Sequence, residues 1–147
     1  MTDPLFTPIR INTLELPNRI YLPAMHLGMA QEFEVTDQIV NFYTQRAKGG
    51  PGMICVGYAT VDELSGNTQN IGAHADRFIP GLTRLASAIK ENGSLAAVQI
   101  NHAGRYNFSF FLNGQQPVAP SAIASRMTRE TPHALTIDEI HQVIRSF

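Results

Sequence analysis

The chain has a single cysteine, Cys55, in 147 residues. That excludes an internal disulfide and leaves too few thiols for an iron–sulfur cluster or a Cys-rich zinc site. Cys55 lies within the apolar run Met53-Ile54-Cys55-Val56, the setting of a buried, unreactive thiol. Charge of neither sign is in excess: 11 Lys and Arg against 12 Asp and Glu give a formal net charge of −1. Nucleic acid and anionic lipid surfaces therefore have no electrostatic claim on it as partners. No basic segment followed by an apolar stretch opens the chain, and no run reaches the ~18 apolar residues of a membrane span. The expectation is a soluble, cytoplasmic protein with no membrane partner.

Several common chemistries lack their motifs. Gly49-Gly50-Pro51-Gly52 precedes an apolar run rather than following one, so it is neither a P-loop nor a dinucleotide fingerprint. No G-x-S-x-G elbow is present. Lys48 and Lys90 fall in helical stretches, so no lysine stands at a strand end for Schiff-base chemistry. Asp62 and Glu63 are adjacent in a polar loop, where solvation is the ordinary state of such a pair.

What is present is a globular composition, 44% hydrophobic and 16% charged, with alternating elements. Residues 8–20 alternate around Asn12-Thr13 and read as a hairpin feeding a strand, Arg19–Leu22, that Pro23 ends. Thr36 is an N-cap for a helix in which Ile39, Val40, Tyr43 and Ala47 recur at helical spacing, closed by Gly49-Gly50-Pro51. Met53–Tyr58 has the continuous apolar character of a strand covered on both faces. A polar loop runs to about Ala75, and a second helix starting near Asp76 or Phe78 buries Leu82, Leu85, Ala86 and Ile89. Leu95–Ile100 is the third strand. Residues 101–135 show little periodicity, and Thr136-Ile137-Asp138-Glu139 opens a last helix with a capping box. The order predicts an α/β fold with a parallel sheet and right-handed crossovers. Its three βα units fall well short of the ~250 residues of an eight-unit barrel, so the chain reads as the front part of something larger.

The stretch Leu95–Tyr106 turns abruptly polar at its C-terminal end, where Gln99, Asn101, His102 and Arg105 gather around Gly104. Parallel α/β folds present chemistry at such strand ends. The Gln99 amide offers a donor and an acceptor together, which suits a ring with alternating N–H and C=O groups and equally suits capping a strand end. His102 and Arg105 could bind an anion or organise the turn. Pro23-Ala24-Met25-His26 lets main chain approach a flat ligand, or is an ordinary strand exit. His26 could supply a hydrogen bond or a proton at neutral pH, or stand in solvent.

Four motifs then occur in order: L-F-T-P-I-R-I with L-P-N-R-I, P-A-M-H, A-V-Q-I-N-H-A-G-R-Y and P-V-A-P-S-A-I. Together they resemble the N-terminal part of the Old Yellow Enzyme family of FMN-dependent NAD(P)H:flavin oxidoreductases. The M-H followed by Gly28, and N-F-Y-T-Q-R-A-K, are most similar to the 2,4-dienoyl-CoA reductase and NADH:flavin oxidoreductase branch. The resemblance spans essentially residues 1–147 and implies one partial flavin-binding TIM (β/α)8 barrel whose bottom is closed by the hairpin. It implies FMN as cofactor, NAD(P)H as electron donor and an electron-poor alkene as substrate. By resemblance, Pro23, Ala24, Met25 and His26 follow the isoalloxazine edge, Gln99 bonds its pyrimidine end, and Gly57-Tyr58 makes a third contact. Tyr58 stands where the family has alanine or glycine, so its phenol must turn aside or narrow the pocket. No catalytic residue is assigned within the chain: the family's substrate-oxygen pair, proton-donating tyrosine and FMN phosphate loops lie beyond residue 147, as do the branch's iron–sulfur cluster and FAD domain. The alternative expectation is a truncated partial barrel without activity of its own, whose exposed edges favour a homo-oligomer.

Overall fold

A computed structural model describes residues 3–147. The hairpin forms as expected: β1 (Ile9–Ile11) pairs antiparallel with β2 (Leu14–Leu16), with Ile9 opposite Leu16. Asn12 takes the left-handed backbone its turn needs, φ 54°. β3 is only Tyr21–Leu22, shorter than the apolar run suggested. Asn18 explains the late start: its side chain binds the Ile20 N–H at 3.0 Å and the Gly50 carbonyl at 2.8 Å, holding residues 18–20 as a bend.

α1 (Asp37–Ala47) begins where Thr36 accepts the Ile39 N–H at 3.3 Å and donates to the Met29 carbonyl at 2.8 Å. β4 (Met53–Thr60) runs two residues past its apolar core. β5 (Ile71–Gly72) lies inside the segment expected to be loop. Two residues carry no periodicity, and Gly72 is there for space: a Cβ would come within 2.6 Å of the Phe78 ring. α2 (Ile79–Lys90) follows a 3-10 turn, and β6 (Leu95–Asn101) completes the sheet.

β3, β4 and β6 are parallel and adjacent in that order, while β5 continues the β3 side of β4 at its C-terminal end, with Ala59 opposite Ile71. α1 and α2 cover one face. Ile39, Tyr43, Ala47, Leu85 and Ile89 from the helices meet Ile54, Val56, Ala59 and Ile71 from the strands in a closed core. Arg84 joins the two helices by an ion pair to Asp37 and a 3.0 Å bond to the Val35 carbonyl.

Residues 101–135 are far more ordered than their sequence advertises. They hold 3-10 turns at Gly104–Tyr106 and Ser109–Leu112, then β7 (Val118–Ala119), parallel to β8 (His133–Ala134). Side chain to backbone bonds do most of the fixing: Asn107 donates to the Leu64 and Gly66 carbonyls, and the Glu130 carboxylate accepts the Ser109 N–H at 3.0 Å. α3 (Ile137–Ser146) carries the expected capping box, yet Ile137 and Ile144 are largely exposed. No helix among the described residues is long and apolar enough to cross a membrane.

Candidate active site

Three neighbouring strand ends meet at one level. β4 is interrupted by a bulge: Val56 stands opposite Val98, but Ala59 is opposite Ile100, so Gly57 and Tyr58 together face Gln99 alone. On the other side His26 forms a parallel bridge to Gly57. His26, Gly57-Tyr58 and Gln99 thus form a row across the C-terminal ends of β3, β4 and β6. The Gly57–Tyr58 peptide is cis.

Gly57 makes this row possible. A Cβ there would come within 2.3 Å of the Ala24 Cβ and 3.1 Å of the Met25 nitrogen, so only glycine lets Pro23-Ala24-Met25-His26 lie against β4. The Gly57 N–H donates to the Tyr43 hydroxyl at 3.3 Å. Tyr43 is fully buried, and burial raises its phenol pKa despite that bond. Sequence reading placed Tyr43 on the buried helix face; nothing in the pattern announced that its hydroxyl supports the bulge.

Tyr58 turns aside. Its ring stacks on His26 with centroids 5.4 Å apart and planes at 25°. Its hydroxyl donates to Asn70 Oδ1 at 3.2 Å, and burial raises its pKa, with the Asn70 bond opposing. Asn70, unremarkable in a polar loop, is 2% exposed, and its Oδ1 also accepts the Asn67 N–H at 2.8 Å. Pro23, Met25 and His26 are exposed, and Ala24 is half-buried. Gln99 is exposed on the edge strand, its amide making no hydrogen bond among the described residues.

The polar residues beyond Gln99 do different work. His102 Nδ1 accepts the Gly104 N–H at 3.0 Å, and Gly104 has φ 57°. That bond sets the neutral ring as the Nε2–H tautomer, with Nε2 3.5 Å from the Asp62 carboxylate. Burial lowers the His102 pKa, Asp62 partly opposing. Arg105 lies over the Tyr106 ring, 5.4 Å from its centroid. The geometry of both residues is that of a turn.

The chain as a whole matches known proteins in sequence and in fold. The family described as NADH:flavin oxidoreductase / NADH oxidase matches residues 4–147. The chain belongs to this family. A metal reductase of Desulforamulus reducens is 46% identical over 143 residues, 97% of this chain and 21% of that protein. An NADH oxidase of Thermoanaerobacter brockii is 34% identical over 148 residues, 97% of this chain and 22% of that protein. The chain therefore spans about a fifth of these two relatives. Among solved structures, morphinone reductase in complex with tetrahydroNAD superposes with a TM-score of 0.89 at 26% identity, covering 99% of this chain and 44% of that one. An old yellow enzyme homologue from Zymomonas mobilis gives 0.86 at 26%, covering 98% and 43%. The fold is accordingly the N-terminal part of a TIM barrel.

Proposed function

We propose that this chain is the N-terminal, flavin-contacting part of an FMN-dependent oxidoreductase that takes electrons from NAD(P)H and reduces an electron-poor alkene. The observation that carries the reading is the row His26, Gly57-Tyr58, Gln99 across three adjacent strand ends of a family member. The fit is steric and chemical. Gly57 removes the one Cβ that would push the Ala24-Met25 main chain away, and the exposed Gln99 amide keeps a free donor and a free acceptor. When bound, the flavin supplies hydride transfer between the nicotinamide donor and the alkene.

The chain's own residues bind and orient. Pro23, Ala24 and Met25 offer main-chain groups along the ring edge, His26 adds an imidazole able to donate or accept, and Gln99 pairs with the alternating donor and acceptor groups of the pyrimidine end. Tyr58 contributes through its backbone at the bulge, its phenol being engaged with His26 and Asn70. The complete gene product should bind FMN and quench its fluorescence. Gln99→Ala, losing two hydrogen bonds of about 1 kcal/mol each, should weaken binding by about tenfold or more. A colourless protein indifferent to added FMN would refute the proposal.

A further inference from the structure

The ring of His26 is exposed, and among the described residues it makes no hydrogen bond. An imidazole in that position can rotate about its side-chain bonds and present a different edge to whatever lies across the strand ends. One side chain opposes this freedom. Tyr58 stacks on the imidazole, 5.4 Å between centroids and 25° between planes, a geometry in which ring faces overlap with an offset.

The stack has a fixed foundation. Tyr58 donates to Asn70 Oδ1 at 3.2 Å, and that oxygen is held by the Asn67 N–H at 2.8 Å. Asn70 is almost wholly buried, with its backbone N–H on the Asn67 carbonyl at 2.9 Å. Gly66 leaves the amide its space: a Cβ there would approach Asn70 Oδ1 to 2.6 Å and the Thr60 methyl to 2.5 Å. From Gly66 through Asn70 and Tyr58, each group is placed by the one before it, and the chain ends on the His26 ring.

We infer that Tyr58, anchored by Asn70, is a positioning residue that holds the His26 imidazole in one orientation at the flavin site. The inference rests on the flavin reading above and adds a residue that acts on the cofactor only through another. The Tyr58 side chain then matters to the flavin only as far as His26 does, and its contribution vanishes when the His26 ring is removed.

The test is a double-mutant cycle read by the midpoint potential of the FMN-loaded complete gene product, using His26→Ala, Tyr58→Ala and both together. The expected result is that His26→Ala shifts the potential, Tyr58→Ala moves it most of the way to the same value, and the double variant equals His26→Ala. Tyr58→Phe and Asn70→Ser each keep the stacking ring but lose the bond that anchors it, and both should fall between wild type and Tyr58→Ala. An equal shift from Tyr58→Ala with and without His26, or no shift from His26→Ala, would overturn the inference. A flavin-free arm separates it from the parent reading: stacking should displace the His26 ring-proton resonances upfield, an effect weakened in Tyr58→Phe and Asn70→Ser and lost in Tyr58→Ala. If wild type binds no FMN, the flavin reading falls and this arm decides the clamp. His26 resonances unchanged by Tyr58→Ala would end it. Should Tyr58→Ala fail to fold, Tyr58→Phe and Asn70→Ser still decide: if releasing the hydroxyl leaves the His26 resonances as they are in wild type, the anchor is refuted.

Discussion

Gly57 and His102 show two ways in which a single residue governs this strand end. At Gly57 the matter is volume. Gly57→Ala places a methyl 2.3 Å from the Ala24 Cβ, an overlap that only main-chain displacement relieves. Overpacking of this kind costs about 1–3 kcal/mol, so the variant should unfold at lower denaturant with an unchanged m-value, and bind FMN more weakly than the stability loss alone explains. At His102 the matter is charge. Burial depresses its pKa, so as the pH falls through about 6.5 the unfolded chain takes up a proton before the folded one does. Its stability contribution is complete above that pH and is lost progressively below it. Chemical denaturation across pH 5 to 8 should show this loss, and His102→Gln should flatten it. The positions of Gln99 and of Pro23 to His26 were legible in the sequence because strand-end polarity and proline punctuation are local signals. Tyr43 and Asn70 were not, since what matters in each is a hydrogen bond to a residue more than ten positions away.

At the scale of elements, legibility follows length. α1, α2 and β6 carry enough turns or alternations for their patterns to stand out. β5, β7 and β8 are two residues each, shorter than any period, and are held by bonds between distant residues such as the His133 N–H on the Pro117 carbonyl at 2.8 Å. The capping box of α3 was readable because it is written in four consecutive residues. Glu139 accepts the Thr136 N–H at 2.7 Å and lies 3.1 Å from His133, which together hold its carboxyl at about 2. A depressed carboxyl stabilises the fold above the usual carboxylate range and loses that contribution as the pH falls toward 2. α3 should therefore fray selectively between about pH 4.5 and 2, visible as amide exchange rising in residues 137–140 before the sheet responds. Thr136→Ala removes the cap and should cost about 1 kcal/mol at neutral pH.

For the whole molecule the decisive feature is imbalance. The helices close the sheet over β4, while over β6, paired among the described residues only with β4, the same side stays open and leaves Val98 48% and Ile100 43% exposed. An open apolar strand edge recruits another strand. The isolated 147-residue chain should self-associate at micromolar concentration in light scattering, with Val98→Lys shifting it toward monomer; a monodisperse wild-type monomer would contradict this. The same imbalance implies that the isolated chain, given FMN and NAD(P)H, shows no turnover, which a nicotinamide absorbance assay checks. The βα order was enough to foresee a parallel sheet belonging to something larger, because alternation constrains topology; the barrel came from the motif resemblance, and which strand forms the open edge needed the pairing itself. The bulge in β4 has a genetic consequence. Before it, even-numbered residues such as Ile54 and Val56 face the helices; after it, odd-numbered Ala59 does. Deleting one codon from the pair 57–58 would keep every helix-facing residue in phase, whereas a deletion with the bulge retained would send the following side chains to the wrong face. Length variation in this strand is therefore tolerable to the core at one place, and that place is the proposed flavin site, where an insertion or loss would alter the ligand surface while the barrel wall stays the same.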